Sequence, residues 1–321
     1  MRNLQNFQQL EWQILLTLAY TDQFQFPLIE EELWGRLVWP MEKLGAAPNK
    51  KNFQLALFNL VKKKIIFHEN GFYFLTKNLP SLRHRREKIS QEKWWEVQQF
   101  IKSVRWIPGL HAVFVTGSLA MNNATENQDV DFLIVTEKNC LWIVRPLVVF
   151  ATWLQGKKRP AVAGKKQEQH TWCLNLWLDT AKVTVPSDER TIYQAYEVSQ
   201  AKLVWSRGGG GEMFYAENAW VREWLPNFHF LQNQKKIPKE VRGLFFLRPL
   251  NFLFFLAQRL YMDRHLTTEK VGLGYAFFHP RNTVKIVTRG WQSSLRKVKL
   301  SRQTVTILLN NVTELTTNTA R

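Results

Sequence analysis

Apolar residues recur at helical spacing through the first third of the chain, then at strand spacing, then at helical spacing again. Leu10, Ile14, Leu15 and Leu18 fall on one face of a helix over 10–20. Pro27 suits a first helical position, and the spacing of Ile29, Leu33 and Leu37 predicts a second helix to about Trp39. Phe53, Leu57, Leu60 and Val61 define a third helix over 49–64, ending in Lys62, Lys63 and Lys64. Two short apolar runs, 65–67 and 72–75, flank Asn70-Gly71, a strong hairpin turn. A helix from Trp94 to Val104 presents Trp95, Val97, Phe100 and Ile101.

The next stretch, HAVFVTGSLAMNNATENQDVDFLIVT over 111–136, reads as strand, Gly-Ser turn, short helix, loop and strand. Gly117 reaches backbone angles that a Cβ resists, and Ser118 can cap the short helix. Asp129 and Asp131 stand two apart, so a strand projects both carboxylates from one face, while Val130 and Phe132 point the other way. Carboxylates forced together repel unless a cation lies between them, which points to a divalent metal. A helix over 141–154 and a strand over 170–178 follow. In that strand Cys173, Asn175, Trp177 and Asp179 share one face by simple alternation. Ser187 caps a helix containing Ile192, Tyr196 and Val198; Gly208 to Gly211 break the chain; helices are expected over 213–225 and 238–262. The stretch after them holds Glu269 and a His279-Pro280 step, neither of which acquires a role from the sequence. The Thr- and Asn-rich end from 301 reads as a disordered tail.

The chain has 321 residues, 45% of them hydrophobic, enough for two or three packed domains. The formal charge of +18 calls for an acidic partner, nucleic acid first and a membrane surface second. Arg83, Arg85 and Arg86, and the loop run Lys157, Lys158, Arg159, Lys165 and Lys166, are either phosphate contacts or solvated surface. Two cysteines, Cys140 and Cys173, make neither a metal spacing nor a disulfide framework, which fits a reducing cytoplasm. The start of the chain lacks the long apolar core of a signal peptide. The apolar stretches at 141–154 and 243–262 are interrupted by Arg145, Pro146, Arg248 and Arg259, and read as buried helices with no membrane span.

Gly117, Ser118, a ten-residue spacer and Asp129-Val130-Asp131-Phe132 resemble the signature of the DNA polymerase β-like nucleotidyltransferase superfamily. The three helices and hairpin that precede it resemble a winged helix-turn-helix. Together these imply an α+β chain: a winged helix over 1–82, a nucleotidyltransferase domain with a mixed sheet over 83–182, a helical domain over 183–300 and a tail over 301–321. By resemblance, Asp129 and Asp131 hold Mg²⁺, and Gly117 with Ser118 cradles a nucleoside triphosphate. A hydroxyl on the acceptor, for which the basic charge favours RNA or DNA, then attacks the α-phosphorus in line and releases pyrophosphate. The superfamily's third carboxylate sits on a strand like 170–178. Here the mid-strand polar residue is Asn175, and the acid is Asp179 at the strand end, so Asp179 is the expected third catalytic group. Two further readings stay open: a DNA-binding regulator whose degenerate site only senses nucleotide, and a membrane-surface protein using the Phe-rich helix. The sequence names neither the acceptor, the nucleotide nor the oligomeric state.

Overall fold

The computed structural model describes residues 2–76, 79–157, 171–229, 247–262, 269–278 and 283–317. Helix α1 (Arg2–Asp22) buries Leu10, Ile14, Leu15 and Leu18, the stripe its spacing predicts. Helix α2 is short, Glu30–Gly35, because Pro27 and Leu28 are used otherwise. Leu28 pairs with Tyr73 through both backbone bonds, at 3.1 and 2.7 Å, so the chain is extended where a helix was expected. Helices α3 (Met41–Leu44) and α4 (Lys50–Lys62) follow, with Asn49 capping α4 and Phe53, Leu57 and Leu60 buried. Strands β1 (Phe67–Glu69) and β2 (Phe72–Phe74) close a hairpin in which Asn70 and Gly71 both take positive φ, 51° and 79°. Such a two-residue turn matches the twist of the strands it joins.

Helix α5 runs Leu79–Val104, fifteen residues earlier than its apolar pattern begins. The cause is Arg83. Its guanidinium is buried, donates to the Pro27 carbonyl at 2.9 Å, pairs with Glu32 at 2.9 Å and Glu87 at 2.7 Å, and lies 3.9 Å above the Phe26 ring. Arg86 likewise donates to the Phe24 carbonyl and to Gln25 and Asn123. These two arginines are ties between elements rather than open phosphate contacts; Arg85 pairs with Glu126 at the surface.

Six strands form one mixed sheet in the order β6-β3-β4-β5-β8-β7. They are β3 (Leu110–Val115), β4 (Val130–Thr136), β5 (Trp172–Asp179), β6 (Lys202–Ser206), β7 (Lys270–Gly272) and β8 (Tyr275–Phe277). Only β4 and β5 are parallel; all other pairings are antiparallel. Three of the six strands therefore come from beyond residue 182. Helix α6 (Gly117–Ala120) lies between β3 and β4, α7 (Leu141–Leu154) between β4 and β5, and α8 (Ile192–Gln200) before β6. Helix α9 (Gly210–Glu217) and a 3₁₀ turn at Ala219–Glu223 replace the single helix expected over 213–225.

The sheet is covered on both faces. On one, α5 and α7 pack against Val113, Val115, Phe132 and Ile134; Phe100 stacks on Phe132 at 4.0 Å and meets Trp172 edge-on at 5.2 Å. On the other, Phe114, Leu133 and Val135 join a core shared with α1, α8 and the last two helices, α11 (Thr283–Arg296) and α12 (Arg302–Thr316). The expected loose end is thus a helix: Ser301 caps it, and Leu308, Val312 and Leu315 are buried. Trp291 of α11 donates to the Leu16 carbonyl at 2.8 Å, and Tyr20 stacks on Tyr196 at 4.0 Å.

Helix α10 (Arg248–Met262) differs from the buried helix expected there. It buries only Asn251 and Met262, with Asn251 accepting from the Trp142 N–H at 2.8 Å, and leaves Leu253, Leu260 and Tyr261 exposed. Among the described residues, no helix is long and apolar enough to cross a membrane.

Phe100 carries the packing between α5 and the sheet. Phe100→Ala should cost about 3–5 kcal/mol, read as a lower denaturant midpoint with an unchanged slope.

Candidate active site

Strand β3 is buried along its whole length and delivers the chain to Thr116 and Gly117 at the sheet's edge. The Thr116 N–H donates to the Asp131 carbonyl at 3.0 Å, so the turn is laced to β4. Gly117 has φ +63°, and a Cβ placed on it would lie 2.7 Å from Asp131 Oδ2. A side chain would fill the space the carboxylate occupies, so glycine is required twice, by conformation and by room. Ser118 Oγ donates to the Gln128 side-chain oxygen at 2.8 Å, which also accepts from the Thr125 N–H at 3.0 Å. Lys93 of α5 donates to the Gln128 carbonyl. These bonds fold the spacer back across the turn and set its length.

Asp131 lies in β4 and Asp129 one residue before it, both half-buried. Asp129 Oδ1 accepts from the Thr171 hydroxyl at 2.6 Å, which holds that carboxylate toward the start of β5. The structure thus brings together Gly117, Ser118, Asp129 and Asp131 on the paired ends of β3 and β4.

It does not bring Asp179 to them. Asp131 is level with Cys173, whereas Asp179 is level with Thr136, five residues and ~16 Å further along the strands. The Asp179 carboxylate is buried and accepts from the backbone N–H groups of Ala181 at 3.0 Å and Asn139 at 3.4 Å. Burial raises its pKa and those two N–H bonds pull it back. It secures the loops at the far end of the sheet. Asn175 is not level with the pair either. The β4–β5 register shifts by one between Asp131/Cys173 and Leu133/Leu176, so β5 carries an extra residue there. Its two halves therefore present opposite alternations: Cys173 points with Asp131, but Trp177 points with Ile134 into the other core.

Three site residues lay outside the sequence reading. Glu197 of α8 faces Asp131. Its carboxyl is pushed up to about 7, first by desolvation and second by the Asp131 charge. The residue itself is exposed. Lys202, the first residue of β6, is level with Val115 and hence with the turn. Its ammonium is lowered by desolvation and then by the nearby positive charge of Arg36. Arg36, just after α2, is itself lowered by desolvation, and its guanidinium donates to Met121 Sδ at 3.2 Å. Lys202 and Arg36 are thus close enough for each to feel the other's positive charge. No periodicity marks these three: each is a lone charge in an otherwise ordinary helix end or strand.

The donors fit Mg²⁺. Asp129 and Asp131 offer hard carboxylate oxygens, and Mg²⁺ binds through one or two carboxylates plus substrate phosphates rather than a closed protein cage. Among the described residues, no group of three or more His, Cys, Asp or Glu is placed to hold a metal ion. Of the other expected candidates, Lys157 pairs with Glu96 at 3.4 Å and Glu269 precedes the far edge strand β7. Lys158, Arg159, Lys165, Lys166, His170, His279 and Pro280 lie outside the described residues.

A glycine turn is thus locked onto the strand that carries the acidic pair. The family model of the nucleotidyltransferase domain matches residues 97–172, a span containing Gly117, Ser118, Asp129 and Asp131 and excluding Glu197 and Lys202. That match supports the nucleotidyltransferase superfamily for this part of the chain and a general role in nucleotidyl transfer. No curated protein and no solved structure matches the chain.

Two outcomes follow from the geometry. Gly117→Ala should destabilise by about 1–3 kcal/mol through the left-handed φ, and weaken nucleotide binding in Mg²⁺ by displacing Asp131; calorimetry reads both. Asp179→Ala should lower stability by about 1–3 kcal/mol, the cost of orphaned N–H groups, yet leave turnover within twofold.

Proposed function

We propose that the protein transfers a nucleoside monophosphate from a nucleoside triphosphate to a hydroxyl on a nucleic-acid acceptor, breaking the α–β phosphoanhydride bond and releasing pyrophosphate and the hydroxyl proton. The observation that carries this reading is the contact of Gly117 with Asp131 inside the matched domain, because it presents backbone N–H groups and a carboxylate pair to one point. Gly117 and Ser118 receive the triphosphate. Asp129 and Asp131 hold Mg²⁺, and Glu197 adds a third negative charge that deepens the well for a cation. Arg36 and Lys202 neutralise phosphate oxygens and so favour the polyanion over a neutral sugar. Bound Mg²⁺ supplies Lewis acidity to the α-phosphate and lowers the pKa of the attacking hydroxyl. The protein's part is to hold nucleotide and acceptor in line, which alone supplies much of the acceleration.

For the acceptor, the charge of +18 favours nucleic acid. The four helices, hairpin and Leu28–Tyr73 bridge of the first 76 residues support a winged-helix reading of that region. Its helix α4 exposes Lys50, Lys51 and Lys62. The deciding experiment is incubation with each labelled nucleoside triphosphate, Mg²⁺ and total RNA, DNA or protein. Label in RNA or DNA is expected. Label in protein or in none would refute the acceptor, and tight nucleotide binding without transfer would favour the sensing regulator.

Asp131→Asn should reduce transfer to background while raising the melting temperature without metal, since it removes a charge that repels Glu197. Glu197→Gln should keep measurable transfer but need several-fold more Mg²⁺ for half-maximal rate. An unchanged metal requirement would remove Glu197 from the site.

A further inference from the structure

Helix α5 and edge strand β6 run side by side away from the Asp pair, and aromatic and basic side chains line the seam between them at both ends. At the near end, Lys202 Nζ lies 5.5 Å from the Trp94 ring centroid. At the far end, Arg105, Trp106, Trp205, Ser206 and Arg207 enclose a shallow hollow of about 340 Å³. The two elements span equal lengths: five residues of strand from Lys202 to Arg207 cover ~17 Å, and twelve residues, mostly helical, from Trp94 to Trp106 cover ~18 Å.

The hollow is built in a particular way. Arg207 is fixed: its guanidinium donates to the carbonyls of Arg105 at 2.5 Å and Ile107 at 3.4 Å and lies 5.2 Å from the Trp205 ring. Arg105 is held by stacking alone, 4.6 Å from the Trp106 ring, and its side-chain N–H groups bond to no described residue. Trp106 is 72% exposed, a large apolar face left to water. The neighbouring acid, Glu212, is engaged by the Ser206 hydroxyl at 3.2 Å. The hollow thus offers an open indole face beside an uncommitted guanidinium.

We propose that this seam is a track for a single-stranded nucleic acid, with an unpaired base on Trp106, its phosphate on Arg105, and the strand leading along β6 to Lys202 and the Asp pair. This rests on the reading of the acceptor as nucleic acid, and it specifies the form: unpaired, because a base inside a duplex has no free face to lay on an indole. RNA and DNA single strands share that chemistry. The same pairing of stacking surface and cation, repeated at both ends of the seam, suits a chain whose repeat is base and phosphate.

The test uses the full chain with chelator and without nucleotide, so that binding is read apart from transfer. Fluorescence anisotropy follows a labelled 12-residue RNA, the same sequence as DNA, and a duplex of equal length. Single strands should bind more tightly than duplex. Trp106→Ala and Arg105→Glu should each weaken single-strand binding about tenfold or more, with melting temperature unchanged. Asp131→Asn, which removes a negative charge at the end of the track, should bind at least as tightly as wild type; if transfer fails in the wild type while this binding stands, the catalytic reading alone is at fault. Wild-type affinity in both hollow variants, or equal affinity for duplex and single strand, would overturn the track.

Discussion

The site depends on one close approach. Asp131 occupies the volume where any residue but glycine at 117 would put its Cβ, and Gly117 sits at φ +63°. Everything nearby serves that contact. The Thr116–Asp131 bond laces turn to strand, Gln128 ties the spacer back to Ser118 and Thr125, and Thr171 orients Asp129. A rigid anionic point next to a turn of N–H groups is what phosphate chemistry requires and what side chains on mobile loops do not supply.

The charges opposite arrive from distant parts of the chain. Arg36 follows α2, Glu197 lies on α8, and Lys202 begins β6, yet they share one neighbourhood. The Tyr20–Tyr196 stack and the bond from the Tyr196 hydroxyl to the Arg36 carbonyl at 2.9 Å hold α1, α2 and α8 together there. The first helices are therefore part of the site's wall. Their own fixing to α11 through Trp291 makes the final helices part of the same support.

Much of this was legible in the sequence where a local rule governs. The Asn70-Gly71 hairpin, helix α7 with its bounds, and the Gly117-Ser118 to Asp131 unit follow from turn chemistry and periodicity. What failed had non-local causes. The helix expected from Pro27 gave way to pairing of Leu28 with Tyr73, forty-five residues on. The basic run at Arg83 is a helix start as read, but Arg83 itself is buried rather than solvated because Glu32, Glu87 and the Pro27 carbonyl absorb its charge. Asp179 lies away from the pair because it is level with Thr136, five residues past Asp131, and the extra residue in β5 gives the second half of that strand the opposite alternation. Glu197 was passed over because one acid on a helix is ordinary until its neighbour across space is known.

Helix α5 has a mechanical consequence. It is 26 residues long, ~39 Å, with Pro80 confined to its first turn and no glycine within. One end is knotted to the hairpin region through Arg83 and Phe26; the other stacks Phe100 on Phe132, the residue next to Asp131. Arg86 pins its first half to Asn123, in the loop that follows the glycine turn. The helix thus behaves as an axle with bearings at both ends. The hairpin and the acidic pair can shift relative to one another only if that axle bends or unwinds, so a load placed on the first is felt as torque at the second.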